Sequence, residues 1–252
     1  MPLHQADGVV LTRYAFQERD WVVVLLTPSA GQVRLVARRV RTVRGGVAQA
    51  VEPLSLVRVS YFERPGSELG TLREAVLRRS SFALAGRPQA WAAAQVVAEL
   101  ALLHCPPGQP AGEQFRLVDH CLEHLCTGGD ALIVAHYAEL WFLRLGGILP
   151  GPDRCGRCER PLATGPLVVD TAERLFVCSE HRPPTGTLEL PDAAARWLRQ
   201  ALRSRLEAMA SPAPPPLPAW LAGLRRQLTE RDLSSLTYLH GLVGGHAVGS
   251  GR

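Results

Sequence analysis

The sequence predicts an α+β multidomain protein, in which a small five-stranded β-barrel precedes a helical region with an inserted metal-binding module. Three observations support this fold class. The first eighty residues hold five short runs rich in valine and leucine, the later apolar spacing is helical, and four soft metal ligands interrupt the helices. We therefore expect one domain over residues 1–80 and a second over 81–252, with the module at 150–183 inside the second.

The amino-terminal runs have the length and spacing of barrel strands, with Gly, Pro or Ser between them. In the third run Val33 and Leu35 alternate with Arg34 and Arg38, which places the apolar side chains on one face of a strand. Five such strands followed by a helix are typical of an OB-fold, although an SH3-like barrel fits the same pattern. We expect strands at residues 7–16, 20–28, 31–40, 54–63 and 68–77.

The rest of the chain has the apolar spacing of helices. A Pro-Pro-Gly stretch at 106–108 and a glycine pair at 128–129 stop the first helices, and the proline-rich stretch 211–218 separates the last two. The third helix is apolar around nearly its whole circumference, as a central helix of a bundle would be. We expect helices at residues 88–105, 112–126, 130–147, 191–210 and 219–242.

A metal site is predicted by the pattern C-x2-C-x19-C-x2-H, formed by Cys155, Cys158, Cys178 and His181. Paired ligands at this spacing are typical of zinc ribbons and knuckles, in which each tight turn presents two ligands to one ion. Between the two pairs, residues 168–169 and 175–177 are expected to form a two-stranded hairpin.

We expect this zinc ion, one per chain, to be structural. A catalytic zinc requires an open coordination position and a nearby acid or base, whereas four protein ligands would fill the coordination sphere. The sequence contains neither the H-x-E of zinc deaminases nor the H-E-x-x-H of metalloproteases. No catalytic residues and no enzymatic activity are therefore expected.

A second cluster of soft ligands comprises His120, Cys121, His124 and Cys126. His120 and His124 could share a helix face and bind a metal, because they are four residues apart. The sequence favours instead an amphipathic helix in which Cys121 and Leu125 pack inward, since free cysteine is commonly a small buried side chain.

The positive charge is concentrated in the first third of the chain. All 28 basic residues are arginine, and residues 1–80 carry 12 of them against 7 acids, whereas the remainder is balanced. No acid lies between Asp20 and Glu52, and this stretch predicts a surface that binds a polyanion. Its arginines are Arg34, Arg38, Arg39, Arg41 and Arg44.

Aromatic residues near these arginines are candidates for stacking on nucleic-acid bases. We expect Trp21 and Phe62 to lie in the core, and Tyr14 and Phe16 to lie in a loop-like stretch where they can stack. Arg13 is expected to act with Tyr14 in binding. A second basic stripe, on the helix at 191–210, is either paired with acids or a second contact surface, and comprises Arg196, Arg199, Arg203 and Arg205.

Neither a membrane span nor a secretory signal is expected. The two most apolar stretches, at 91–105 and 131–145, are short and are interrupted by glutamate, and the first ten residues lack a basic start and an apolar middle. We therefore expect a cytoplasmic protein with no membrane partner, in which reduced cysteines bind metal in preference to forming disulfides.

Four stretches of the chain resemble the bacterial recombination mediator RecO family. The central one contains "YAELWFLRLGG" followed by the first cysteine pair, and the last reads "RDLSSLTYLHGL". The stretches follow the family's order, at residues 8–42, 52–63, 137–162 and 231–242, and the resemblance covers most of the chain.

The resemblance implies an amino-terminal OB-fold, a helical middle and a zinc-binding insertion. It also implies a non-catalytic DNA repair protein that binds single- and double-stranded DNA, anneals complementary strands and helps to load recombinase. The implied partners are RecR and the single-stranded-DNA-binding protein, and the implied location is at the nucleoid. Where the family often has a fourth cysteine, this chain has His181.

Two other functions fit parts of the pattern. An RNA-binding or transcription-associated protein would combine the same basic barrel with a zinc ribbon, because a basic barrel alone does not distinguish DNA from RNA. A zinc-dependent hydrolase or deaminase would need an open metal position and a general base, and the sequence supplies neither clearly.

Overall fold

The computed structural model describes residues 2–39, 47–63, 66–229 and 231–245. Two of the predicted DNA contacts, Arg41 and Arg44, lie outside these ranges. The chain divides into two compact units, one formed by Met1–Ala138 with Leu233–Arg252 and the other by Glu139–Asp232. This division rests on contacts alone, and the expected domain boundary at residue 80 stays a prediction.

The amino-terminal strands form a closed barrel in the order β1-β2-β3-β5-β4, and β4 pairs back onto β1. All neighbours are antiparallel except β3 and β5, which pair in parallel through residues 34–36 and 69–71. This Greek-key order confirms an OB-like barrel. Its strands are β1 (Leu3–Phe16), β2 (Asp20–Thr27), β3 (Gly31–Ala37), β4 (Leu56–Phe62) and β5 (Leu69–Arg79).

β1 is longer than its sequence pattern suggests because it pairs with two neighbours. Its first half pairs with β4 and its second half with β2, and the register shifts between Val10 and Thr12. A bulge of this kind bends a strand so that it can turn a barrel corner. Tyr14 and Phe16 therefore lie in a strand, and the expectation that they occupy a loop is wrong.

The alternation predicted for the third run is confirmed. Val33, Leu35 and Ala37 are buried in the barrel core, whereas Arg34 is half-buried and Arg38 is exposed. The parallel β3–β5 pair depends on Gly70, because a Cβ there would lie 2.8 Å from Leu35 Cδ2 and 2.9 Å from the carbonyl oxygen of Phe62. Only glycine lets the two strands approach closely enough to close the barrel.

Seven helices occur in the described residues. The third of the long helices, Ala131–Leu145, is buried around most of its circumference, as predicted. No described helix is both long enough and apolar enough to cross a membrane. The helices are α1 (Val47–Ala50), α2 (Pro88–His104), α3 (Gly112–Cys126), α4 (Ala131–Leu145), α5 (Asp192–Arg203), α6 (Leu217–Thr229) and α7 (Ser234–Gly245).

Within the first unit, helices cover one outer side of the barrel. The amide of Gln32, at the start of β3, donates to the carbonyl of Leu102 in α2 at 2.8 Å. The backbone N–H of Gly108 donates to the carbonyl of Ala30 at 2.9 Å, which fastens the β2–β3 turn to the α2–α3 connection. These contacts place the α2–α3 connection against the start of β3 and the β2–β3 turn.

The second unit contains a three-stranded antiparallel sheet in the order β7-β6-β8. The predicted hairpin is confirmed as β6 (Leu167–Asp170) and β7 (Leu175–Val177). The third strand, β8 (Thr187–Leu190), is not apparent from the sequence, because four residues with a central glutamate carry little strand signal.

Two helical predictions for this region differ from the structure. α5 ends at Arg203 rather than at residue 210, and the single helix expected over 219–242 is divided into α6 and α7. Arg225, nearly fully buried, donates to the carboxylate of Glu139 at 2.9 Å and to the carbonyl of Arg231 at 2.6 Å. This side chain therefore holds the backbone at Arg231, in a segment between the two helices whose sequence contains neither proline nor glycine.

Candidate nucleic-acid interface and metal centre

The metal centre is built from two tight turns that the β6–β7 hairpin holds together. The N–H of Gly156 donates to the carbonyl of Phe176 in β7 at 2.8 Å, and a Cβ at Gly156 would lie 2.8 Å from that of Leu175. Glycine is therefore required for the first turn to lie against β7. Cys178 follows β7 directly, and a short 3-10 turn brings His181 beside it.

The four predicted ligands converge on one point. Their ligand atoms all lie within 4.8 Å of one another. Among the described residues, they form the one group of His, Cys, Asp or Glu side chains that could hold a metal ion. His181 Nδ1 lies 3.2 Å from Cys178 Sγ and 3.9 Å from Cys155 Sγ, and the Cys158 and Cys178 sulfurs are 3.9 Å apart. A tetrahedral zinc site places such atoms about 3.5–3.8 Å apart. The donor set and its spacing therefore fit a tetrahedral metal ion.

The thiols of Cys155 and Cys158 differ in acidity. Burial alone raises the pKa of Cys155, but hydrogen bonds from the backbone N–H groups of Cys178, Arg157 and Cys158 lower the pKa to about 6. A backbone hydrogen bond from Arg160 lowers the pKa of Cys158, but burial and the two neighbouring sulfurs outweigh it and raise the pKa. Cysteine binds metal as the thiolate, and a cation bound between these sulfurs would offset the repulsion between their negative charges.

Arginines around the metal centre are engaged by acids of the same unit. Arg157 contacts Asp170 at 2.8 Å and Glu173 at 3.2 Å. Arg160 contacts Glu180 at 2.7 Å. These pairs brace the two turns and leave little net positive charge beside the metal ligands.

Three of the four arginines of the predicted stripe, those within α5, make contacts inside their own unit. Arg199 donates to the carbonyls of Ala163 at 3.0 Å and Gly165 at 3.1 Å. Arg203 contacts Asp153 at 2.6 Å, and Arg196 contacts Asp192. The structure therefore favours the paired reading of this stripe, with Arg199 acting as a brace for the loop that leads to β6.

The second soft-ligand cluster is part of a packed helix. Cys121 and Leu125 are fully buried on one side of α3, together with Val118 and Leu122. The amphipathic-helix interpretation is therefore confirmed.

A polar groove lies on the outer surface of the barrel, between the β1–β2 turn, the end of β3 and the start of β5. Its opening has a volume of about 500 Å³ and is lined by Phe16, Val36, Arg38, Arg39 and Thr71, among others. This position, between the first turn and the β4–β5 connection, is where OB-folds bind oligonucleotides and oligosaccharides. We refer to it below as the β3 groove.

The two arginines of the β3 groove are exposed. Arg39 has a φ of 58°, in the left-handed region, and its N–H donates to the Asp20 carboxylate at 2.8 Å. This bond fixes the backbone where the chain leaves β3. Arg38 makes no ion pair with any described residue, so its guanidinium is available to a ligand.

Other predicted contacts have different surroundings. Arg34 lies 3.5 Å from Glu68 and lines a neighbouring opening of about 440 Å³ that also contains Glu63. Arg13 contacts Glu52 at 2.8 Å and lies over the ring of Trp21, 4.8 Å from its centroid. Tyr14 is exposed on β1 but does not line the β3 groove.

The residues that sequence reasoning missed lie in the turns and strands that border the groove. Gln17, Ser67 and Thr71 contribute polar groups to it, and Val36 contributes an apolar one. The signal that could have found them is the OB-fold itself, since its first and fourth connections border the binding face. Trp21 packs against the barrel core as predicted, and Phe62 is half-buried.

Known proteins resemble this chain over both its amino-terminal and its carboxy-terminal regions. Residues 1–81 match the family described as Recombination protein O N terminal, and residues 86–234 match Recombination protein O C terminal. "DNA repair protein RecO" of Anaeromyxobacter sp. (strain K) is 34% identical over 210 residues, covering 83% of this chain and 82% of that protein. "DNA repair protein RecO" of Koribacter versatilis is 31% identical over 238 residues, covering 92% and 94%. The protein of the same description from Streptomyces griseus is 30% identical over 213 residues, covering 81% and 84%.

Proposed function

This chain belongs to the RecO family of DNA repair proteins, and on that premise we propose that it is a non-enzymatic mediator that binds DNA through the β3 groove. In this proposal it binds single- and double-stranded DNA, anneals complementary strands and helps to load recombinase with RecR. Its location is the cytoplasm, at the nucleoid.

The observation that carries the proposal is the placement of Arg38 and Arg39 in the β3 groove. Both are exposed on the outer face of an OB-like barrel, between the two connections that border the ligand site in this fold. Guanidinium groups neutralise phosphates and release condensed counterions, which supplies affinity without reading sequence. Two strands neutralised in this way repel each other less, and base pairing then selects the complementary one.

The metal centre is proposed to hold one zinc ion with a structural role. Three thiolates and one imidazole match the preference of zinc for soft ligands in a tetrahedral arrangement. Because these four side chains fill the coordination sphere, no position is left for an activated water, and this argues against a zinc hydrolase or deaminase.

Two protein partners follow from family membership. RecR and the single-stranded-DNA-binding protein are proposed as partners on that basis. An RNA-binding role is the alternative, and competition between RNA and single-stranded DNA of equal length distinguishes the two. Preferential displacement of DNA by RNA would favour the alternative.

The test of DNA binding uses its dependence on salt. We expect the logarithm of the association constant to fall with the logarithm of salt concentration by about 0.7 for each single-strand phosphate contacted. Reversing both groove charges, as Arg38→Glu with Arg39→Glu, should weaken binding and reduce the magnitude of this slope by about 1.4. Fluorescence anisotropy with a labelled oligonucleotide measures both quantities, and a strand-annealing assay should show a parallel loss.

The matched control is Arg116→Glu with Arg205→Glu, which reverses two exposed arginines outside the β3 groove and should leave the slope unchanged. A wild-type slope near zero would refute phosphate binding. Equal effects of the groove and control variants would show that only the net charge of the protein matters.

A further inference from the structure

An aromatic side chain stands at one wall of the β3 groove. Phe16 is the last residue of β1 and pairs with Asp20 at the start of β2. The preceding residue, Ala15, pairs with Trp21, which packs against the barrel core. Because successive side chains of a strand point to opposite faces, Phe16 points outward, into the groove.

The surroundings of Phe16 combine an apolar surface with a charged rim. Phe16 and Val36 are both half-buried, and Arg38, Arg39 and Asp20 lie along the same opening of about 500 Å³. The Asp20 carboxylate accepts the backbone N–H of Arg39 at 2.8 Å. A phenylalanine ring has no group that can form a hydrogen bond to water. A partly exposed phenylalanine ring beside two guanidinium groups therefore suits a ligand that has a flat apolar face and an attached anion.

The geometry points to Phe16 as a platform on which one unpaired nucleobase stacks, while the arginines of the β3 groove hold the adjoining phosphates. This inference rests on the proposed DNA-binding function and extends it to the strand form that the groove accepts. Stacking on a side chain requires a base with a free face, which a base inside a continuous duplex lacks. The β3 groove is thus specific for single strands, and duplex binding relies on phosphate contacts alone.

Tyr14 provides the internal comparison. It lies two residues before Phe16 on the same face of β1, about 7 Å away along the strand. It is 46% exposed, yet it does not line the β3 groove. The aromatic with the larger exposure is therefore outside the proposed base site, and the less exposed one is inside it.

The first test removes bases while keeping phosphates. We expect wild-type protein to bind an oligothymidylate more tightly than a strand of equal length with abasic positions, by about five- to a hundred-fold, as expected for loss of one stacked base. Both strands have the same number of phosphates, so phosphate contacts cannot produce the difference. Equal affinities would overturn the inference, and this result requires no variant.

The second test removes the ring. Phe16→Ala should bind oligothymidylate about as weakly as wild type binds the abasic strand, and it should no longer distinguish the two strands. Phe16→Tyr, which keeps the ring, should retain the distinction, and Tyr14→Ala should behave as wild type. Fluorescence of a 2-aminopurine base, which stacking quenches, should fall on binding to wild type but not to Phe16→Ala.

These outcomes separate the inference from the proposed function. A wild-type protein that binds with a steep salt slope but ignores abasic positions retains the proposed function and loses the base platform. A wild-type protein with no salt-dependent binding loses the proposed function itself. If circular dichroism shows Phe16→Ala to be unfolded, the abasic comparison and the Phe16→Tyr variant decide.

Discussion

Arg34, on the outer face of β3, and Arg38, the first residue after β3, lie four residues apart, but their electrostatic surroundings differ. Arg34 is accompanied by Glu68 at 3.5 Å and by Glu63 in the neighbouring opening, whereas Arg38 lies in the β3 groove without an ion pair to a described residue. An exposed pair such as Arg34–Glu68 contributes only about 0–1 kcal/mol to stability. Its effect on a polyanion is larger, because the carboxylate stands where a phosphate would approach.

Removing this carboxylate should make Arg34 available to DNA. We expect Glu68→Gln to tighten single-stranded DNA binding and to increase the magnitude of the salt slope by about 0.7, as expected for one additional phosphate contact. Glu74→Gln is the matched control, since it neutralises an exposed acid of β5 that lies outside both openings. Identical slopes for the two variants would show that Arg34 does not reach the bound strand.

At the scale of the element, α5 shows how a helix rich in arginine can serve packing instead of binding. Its buried side contains Trp197 and Leu198, and its arginines reach the loop before β6 and an acid within their own unit. Arg199 is half-buried and satisfies carbonyl oxygens that the irregular loop leaves without partners in a sheet or helix.

Replacing Arg199 should therefore affect stability and not DNA affinity. Arg199→Met keeps an apolar stem but removes the donors to Ala163 and Gly165, and we expect a loss of roughly 1.5–3 kcal/mol in the free energy of unfolding. Urea denaturation measures this loss, and Arg205→Met, at an exposed position just after α5, is the control. Weaker DNA binding with unchanged stability would instead restore the α5 stripe as a contact surface.

For the whole molecule, the separation of charge along the chain accompanies a separation of roles. Residues 1–80 carry a formal excess of +5, whereas Arg157 and Arg160 beside the metal ligands are paired with acids. The metal centre therefore presents little positive field to a phosphate backbone. A structural ion contributes to folding because its ligands converge only in the folded chain.

Removing the metal should consequently lower stability without changing the affinity of the β3 groove. We expect Cys158→Ser, or treatment with a zinc chelator, to lower the melting temperature by at least about 4–8 °C, which corresponds to roughly 2 kcal/mol for a chain of this size. DNA affinity, measured at a temperature where the protein stays folded, should change by less than about twofold. Zinc content by atomic absorption should fall from about one ion per chain.

Cys126→Ser is the control, because Cys126 is a half-buried cysteine outside the metal cluster. It should retain both the metal and the melting temperature. A Cys158→Ser protein that stays stable but loses DNA affinity would indicate that the metal-binding module itself contacts DNA.

The sequence by itself determined the features encoded by short spacing. The ligand pairs are three residues apart, so each tight turn brings its two ligands together wherever the module lies, and the alternation of Val33 and Leu35 with Arg34 sets the faces of β3. Family membership likewise follows from ordered stretches of sequence. Helix ends were less predictable, because the break before α7 depends on Arg225 and its buried partner 86 residues away in the chain.

Only the tertiary structure decided which cationic and aromatic side chains are available to a ligand. Arg34 and Glu68 are 34 residues apart in the chain and meet because β3 and β5 pair in parallel, whereas Arg38 lies beyond that pairing. The pairing of β2 with both β1 and β3 brings Phe16 to the same opening as Arg38 and leaves Tyr14 outside the groove. Barrel closure depends on contacts distant in sequence, and the spacing of residues along one strand cannot specify the partners that those contacts supply.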